Sequence, residues 1–334
     1  MKYYGTLGPA CETADILEKM IQTGMTGIRL NLSHKSLRES KVWIHEYFKA
    51  AEKVKIRPDF MIDLMGPELR IGELPGEMML GDRTKIALGG DQVPVPDEVR
   101  PFLKEGQIVL LDDGKMKLEV IESGKNKTAV CRVLRGGRLK SRKSIMLPGC
   151  TVHRPVLTPL DEENLSLAAR YGVTEVMLPF VRGKEDLLEL RRTLDEKGCS
   201  GIRIYAKIEN MEGVGHLEEI IPASDTIVIA RGDLGNAVPL TELPCLQDWI
   251  AHICRKHDKD FMVVTQMLDS MTRHPYPTRA EVSDIFQAVM QGASALMLTE
   301  ETAMGRYPVK AMEILTETGS RAEKYLQMKM KQVQ

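Results

Sequence analysis

Eight short runs of apolar and β-branched residues, spaced by longer amphipathic stretches, constrain this chain more than any other feature. The runs are Tyr3 to Leu7, Gly27 to Asn31, Asp59 to Asp63, Glu175 to Pro179, Ile202 to Lys207, Thr226 to Ala230, Phe261 to Thr265 and Ala295 to Thr299. Helix-like stretches lie between them, among them Ala14 to Thr23, Leu37 to Lys53, Asp161 to Tyr171, Lys184 to Glu196, Leu246 to His257 and Arg279 to Gln291. A strand followed by a helix and another strand is a βα unit, because the helix carries the chain back before the next strand begins, so the strands pair in parallel. Thr226 to Ala230 is apolar after its first residue, as a strand buried on both faces should be.

The rhythm breaks once. Between Gly66 and about Gly149 the chain is rich in Gly and Pro, with short segments such as Ile108 to Leu111 and Lys117 to Ile121. That stretch reads as an inserted small β domain. What remains has the size of a (β/α)8 barrel, about 250 residues. The expected fold is therefore α/β: a TIM barrel with an inserted small β-barrel domain after the third strand. Residues 1–66 form the first part of the barrel, 67–149 the insert and 150–334 the second part, with a C-terminal helix from Pro308 to about Met330. A doubly wound open sheet is the alternative, but no G-x-G-x-x-G follows the first run.

Charge excludes some functions. Lys and Arg number 46 against 47 Asp and Glu, a net charge of −1, so no global field recruits nucleic acid or an anionic membrane. The apolar runs are far too short for a membrane span, and Met1 opens into structured sequence without a signal peptide. A cytoplasmic location is expected. The six cysteines show no C-x-x-C pair or zinc-like spacing, which favours reduced thiols over a disulfide framework or a metal cage.

Barrel enzymes place their chemistry at the C-terminal ends of the strands. Residues two apart in a strand share a face, so Lys207 and Glu209 put an ammonium beside a carboxylate. Asp233 follows the next strand, and Gly232 lets a ligand approach the backbone there. Two carboxylates and a lysine suit a hard divalent cation carrying an anionic ligand; the alternative is a pair of surface salt bridges. Arg29, Asn31 and Ser33 also share a face wherever the chain stays extended. The guanidinium fits a phosphate or, equally, a neighbouring acid. Asp63 closes the third run, ahead of Glu68 and Arg70, and Thr265 and Thr299 bring hydroxyls to the same rim or cap the helices that follow.

Longer motifs sharpen this picture. Thr6 to Ala10, Arg29 to His34, Asp63 with Gly66 to Arg70, the Lys207 and Asp233 segments, Thr265 to Met271 and Pro277 to Glu281 together resemble the pyruvate kinase family, in order along the chain to about residue 325. The resemblance implies transfer of a phosphoryl group from phosphoenolpyruvate to ADP, giving pyruvate and ATP, with the insert acting as a lid. It implies that Arg29, Lys207, Gly232, Asp233 and Thr265 bind substrate, and that Arg29, Lys207, Thr265 and Thr299 serve the chemistry. Glu209 and Asp233 would hold Mg2+ or Mn2+. Asn31, Ser33, Asp63 and the carbonyl of Leu64 would hold K+, with Glu68 as the acidic companion. Asn31, His34, Arg70 and Lys143 would contact the nucleotide. A homodimer is the expected assembly, with no nucleic acid or membrane partner. The chain stops after its C-terminal helix, so a short form without an effector-binding C-terminal domain is expected, and with it no sugar-phosphate control.

Several residues depart from the family pattern. Leu64-Met65 replaces Thr-Lys, Pro179 a serine, Ser144 a glycine, Met146 an asparagine, Glu300 a glycine and Met304 a lysine. Glu300 matters most, since an added carboxylate at a phosphate-binding rim costs affinity unless a cation meets it. Met65, Ser144, Met146 and Glu300 motivate a second reading: a metal-dependent lyase or decarboxylase that acts on a pyruvate or oxaloacetate enolate without nucleotide. A non-catalytic scaffold ranks third, because such a protein would be expected to lose Lys207 or a metal ligand first.

Overall fold

The computed structural model describes residues 1–124, 128–150, 152 and 154–333. Eight parallel strands close into a barrel: β1 (Lys2–Thr6), β2 (Gly27–Asn31), β3 (Asp59–Asp63), β4 (Glu175–Leu178), β5 (Arg203–Ile208), β6 (Thr226–Ala230), β7 (Phe261–Val264) and β8 (Ala295–Met297). Their order round the ring is β1-β8-β7-β6-β5-β4-β3-β2. All eight runs become these strands, with ends moved by a residue or two. Apolar side chains occupy most strand positions, as a sheet covered on both faces requires, and the polar ones gather towards the strand ends.

The barrel interior follows from strand alternation. Tyr4, Met61, Met177, Tyr205, Val228, Met262, Ala295 and Met297 pack into one buried cluster at its middle. Two residues earlier along β3, β4 and β5 stand Asp59, Glu175 and Arg203, which close the N-terminal end with a polar network. The hydroxyls of Tyr4 and Tyr205 donate to Glu175 at 2.8 and 2.9 Å, and Arg203 bonds both Glu175 and Asp59. Two residues later along β3 and β5 stand Asp63 and Lys207, at the opposite end.

Helices between the strands are set by local chemistry. Thr278 and Glu281 form a capping box on the helix Arg279–Met290, as Thr158 and Asp161 do on Pro159–Leu167. Asp161 is fully buried and also accepts from the backbone N–H groups of Met65 and Gly66, which ties the end of β3 to that helix. The helix Ala14–Gln22 lies on Lys41–Val54 and turns Leu17, Met20 and Ile21 inward. The last helix is Pro308–Val333. No helix among the described residues is long and apolar enough to cross a membrane. All six cysteines are free thiols, and burial pushes Cys11, Cys131 and Cys254 up to about 12.

The chain divides into two compact units. The barrel unit comprises Met1–Gly66, Val156–Arg231 and Pro244–Gln334; the second comprises Pro67–Pro155 and Gly232–Leu243. In the second unit the strands Ile145–Met146, Ile108–Leu111, Met116–Ser123, Ala129–Arg135 and Lys85–Leu88 form, in that order, one antiparallel sheet, and Met78–Leu80 pairs with Gly137–Leu139. These two sheets enclose a core that includes Leu80, Leu88, Val109, Leu118, Val133 and Leu139.

Candidate active site

Asp63 organises the C-terminal end of the barrel. Its Oδ2 accepts from Arg29 Nη2 at 2.5 Å and Nε at 3.0 Å, and Lys207 Nζ lies 3.2 Å from the same oxygen. Lys207 Nζ also meets Glu209 Oε1 at 2.9 Å. Arg29 therefore does pair with a neighbouring acid, and Lys207 and Glu209 do share a face. The second oxygen of Glu209 accepts from the backbone N–H of Phe180 at 2.9 Å, where a φ of +53° turns the chain after β4. Burial by itself would raise the pKa of Asp63, but Lys207 and Arg29 together outweigh it and hold the carboxyl below its ordinary value.

A second cluster lies at the ends of β7 and β8. Thr265 and Thr299 both sit just past their strands rather than within them. Thr265 and Gln266 have φ of +78° and +54°, which breaks the ladder at Val264. The guanidinium of Arg231 donates from Nε and Nη2 to the Thr265 carbonyl at 3.2 and 2.8 Å, and from Nη1 to Asp284 Oδ1 at 2.7 Å. Glu301 is buried. Its Oε1 accepts from the Leu268 N–H at 3.0 Å, and its Oε2 accepts from the Thr299 N–H at 2.7 Å and the Thr299 hydroxyl at 3.2 Å.

The remaining candidates are distributed as follows. Asn31 pairs in register with Asp63, but β2 ends there, and Asn31 Oδ1 accepts from the Ser33 N–H at 3.1 Å. This turn takes Ser33 off the extended face expected for it. His34 is exposed in the same turn, and Leu64 is buried, its N–H donating to Met177 at 3.1 Å. In the second unit Arg70 pairs with Glu68 at 2.7 Å and Lys143 with Asp112 at 2.7 Å. Gly232 and Asp233 belong to that unit as well, in the helix Arg231–Ala237. Among the described residues no group of three or more His, Cys, Asp or Glu could hold a metal ion by itself.

Some of the departures have local explanations. Pro179 packs against Gly66, where a Cβ would come within 2.6 Å of its ring. Glu300 is exposed at the first position of the helix Glu300–Ala303, so its carboxylate stays solvated. Met304 is exposed too. Ser144 and Asp113 exchange two hydrogen bonds of 2.7 Å, which gives the hydroxyl a structural partner. Nothing in the structure explains Met146.

Comparison with known proteins decides the family. A family model described as pyruvate kinase, barrel domain, matches residues 1–312. The chain belongs to the pyruvate kinase family. Curated pyruvate kinases resemble it along nearly its whole length. That of Aeropyrum pernix is 40% identical, across 98% of this chain and 71% of its own. That of Bacillus licheniformis is 36% identical, across 97% and 57%, and that of Geobacillus stearothermophilus 37%, across 96% and 57%. The chain thus spans little more than half the length of the last two pyruvate kinases.

Arg231, Asp284, Glu301 and the Phe180 N–H were not singled out from the sequence. The sequence offers one signal for Arg231, a charged residue directly after the apolar run Ile227 to Ala230. Glu301 carries no comparable signal, since an acid in the first turn of a helix is ordinary.

Proposed function

We propose that the chain transfers a phosphoryl group between phosphoenolpyruvate and ADP, with pyruvate and ATP as products. The observation that carries this reading is the meeting of Arg29 and Lys207 on Asp63, with Glu209 on Lys207, at the ends of β2, β3 and β5. Phosphoryl transfer asks mainly for positioning and for neutralisation of charge on the equatorial oxygens. Arg29 retains Nη1 beyond the two nitrogens bonded to Asp63 and can turn it to a phosphoryl oxygen, and Lys207 beside it adds a second positive charge. In the forward direction the bond from phosphorus to the enol oxygen breaks as one to a β-phosphate oxygen of ADP forms. The enolate then takes a proton at its methylene carbon from water held near the Thr265 and Thr299 hydroxyls. Gly232 leaves the backbone open to the substrate.

The donor set fits a divalent ion. Glu209 Oε2 accepts from the Phe180 N–H and Oε1 meets Lys207, and a carboxylate oxygen can accept such a bond and still offer a lone pair to a hard cation. Mg2+ is commonly held by one or two carboxylates together with substrate phosphates, so the lack of a three-acid group among the described residues is no obstacle. Glu209 is the ligand the barrel supplies; Asp233 is proposed as the second from its motif. Bound there, Mg2+ or Mn2+ would neutralise charge on the transferring group. Asn31, Ser33, Asp63 and the Leu64 carbonyl are the proposed K+ ligands, and Asn31, His34, Arg70 and Lys143 the proposed nucleotide contacts. A homodimer in the cytoplasm is the proposed setting.

Pyruvate release from phosphoenolpyruvate and ADP, with Mg2+ and K+ present, tests the reading. Lys207→Met should lower kcat by roughly a hundredfold or more, the scale for one electrostatic donor. Wild-type turnover no faster than that variant would sink it.

A further inference from the structure

We infer that Arg231 and Glu301 are positioning residues that hold the Thr265 and Thr299 hydroxyls for proton delivery to the enolate, an inference that rests on the function just proposed. Thr265 and Gln266 are consecutive residues with a Cβ in the left-handed region, at φ of +78° and +54°. Such conformations cost free energy, most of all for a β-branched residue, and persist only where the surroundings over-determine them.

The surroundings here do so from both ends. Arg231, 11% exposed, grips the Thr265 carbonyl with two nitrogens, while Asp284 holds the guanidinium at its third. Glu301, 1% exposed, receives the Leu268 N–H at the other end of the same loop. The same carboxylate receives both the N–H and the hydroxyl of Thr299. One clamp thus fixes the loop after β7 and the residue after β8 together. The water that protonates the enolate is placed by the hydroxyls it bonds, and a clamp on both threonines fixes where that water sits.

Arg231→Lys keeps the charge and loses the fork. It should lower kcat for pyruvate formation by about ten- to a hundredfold while KM for phosphoenolpyruvate stays within about threefold. Exchange of the pyruvate methyl hydrogens with D2O, followed by NMR, should fall by the same factor. In a Thr265→Ala background the substitution should cost nothing further. Glu301→Gln should behave alike, because an amide offers only one acceptor oxygen where two are used. Losses that multiply in the double variant would overturn the inference, as would a raised KM with kcat unchanged. Hydrogen exchange of the 264–270 backbone gives a readout independent of turnover: it should quicken in Arg231→Lys, and unchanged exchange would also overturn the clamp. An inactive wild-type protein would sink the phosphotransfer reading alone, with the loop exchange still judging the clamp.

Discussion

Asp63 shows why one residue can carry so much of this site. Arg29 and Lys207 are 12% and 13% exposed, and two such cations side by side repel unless an anion stands between them. Asp63→Asn removes that anion from beside both cations and leaves Lys207 with Glu209. We expect it to destabilise the protein by about 3 kcal/mol, read from urea unfolding, as losses of one partner in a buried ion pair usually do. The pH dependence has a definite sign. A carboxyl held below its ordinary value of 3.8 contributes stability above that pH, lost as the pH falls through its folded value. Below pH 3.8 the wild type should therefore converge on Asp63→Asn; a gap that stays constant would show that the charge is not the cause. The sequence left Arg29 open between a phosphate and an acid, because its partner lies on a neighbouring strand and only the register Asn31 to Asp63 brings the two together.

At the scale of elements, the strands were legible and the turns between them were not. Buried parallel strands announce themselves by continuous apolar runs, whereas Phe180, Thr265 and Gln266 adopt positive φ that nothing in their side chains advertises. The insert was legible as β structure, but its pairing into one five-stranded sheet and one two-stranded ribbon depends on contacts distant in sequence. Gly66 illustrates how such turns are held. Its φ of +57° suits glycine, and its bare Cα seats the Pro179 ring, so two elements meet where a side chain would intrude. Gly66→Ala should cost about 1–3 kcal/mol, from the left-handed backbone and from the crowding against proline. Adding Pro179→Ser should recover the crowding part. Thermal denaturation of the two variants separates the contributions, and no recovery in the double variant would place the whole cost in the backbone.

Across the barrel as a whole, polarity is layered: an ionic network at the N-terminal end, an apolar middle and the Asp63 cluster at the C-terminal end. The two ionic ends respond to acid in opposite directions. Glu175 is fully buried, and that burial, reinforced by Asp59, raises its pKa above the usual 4.5 despite Arg203, the Tyr4 hydroxyl and Lys2. A carboxyl raised in this way contributes stability that is fully present below its ordinary pKa and is lost as the pH climbs through the folded value. Glu175→Gln keeps an acceptor for the tyrosine hydroxyls and removes the titration. The variant should therefore gain Tm relative to wild type as the pH is raised from about 4.5 to about 8, with no such gain below 4.5. Parallel Tm curves for the two proteins across that range would mean that Glu175 stays ionised throughout, held by Arg203 and Lys2, and that the N-terminal end of the barrel is an ordinary ion-pair network.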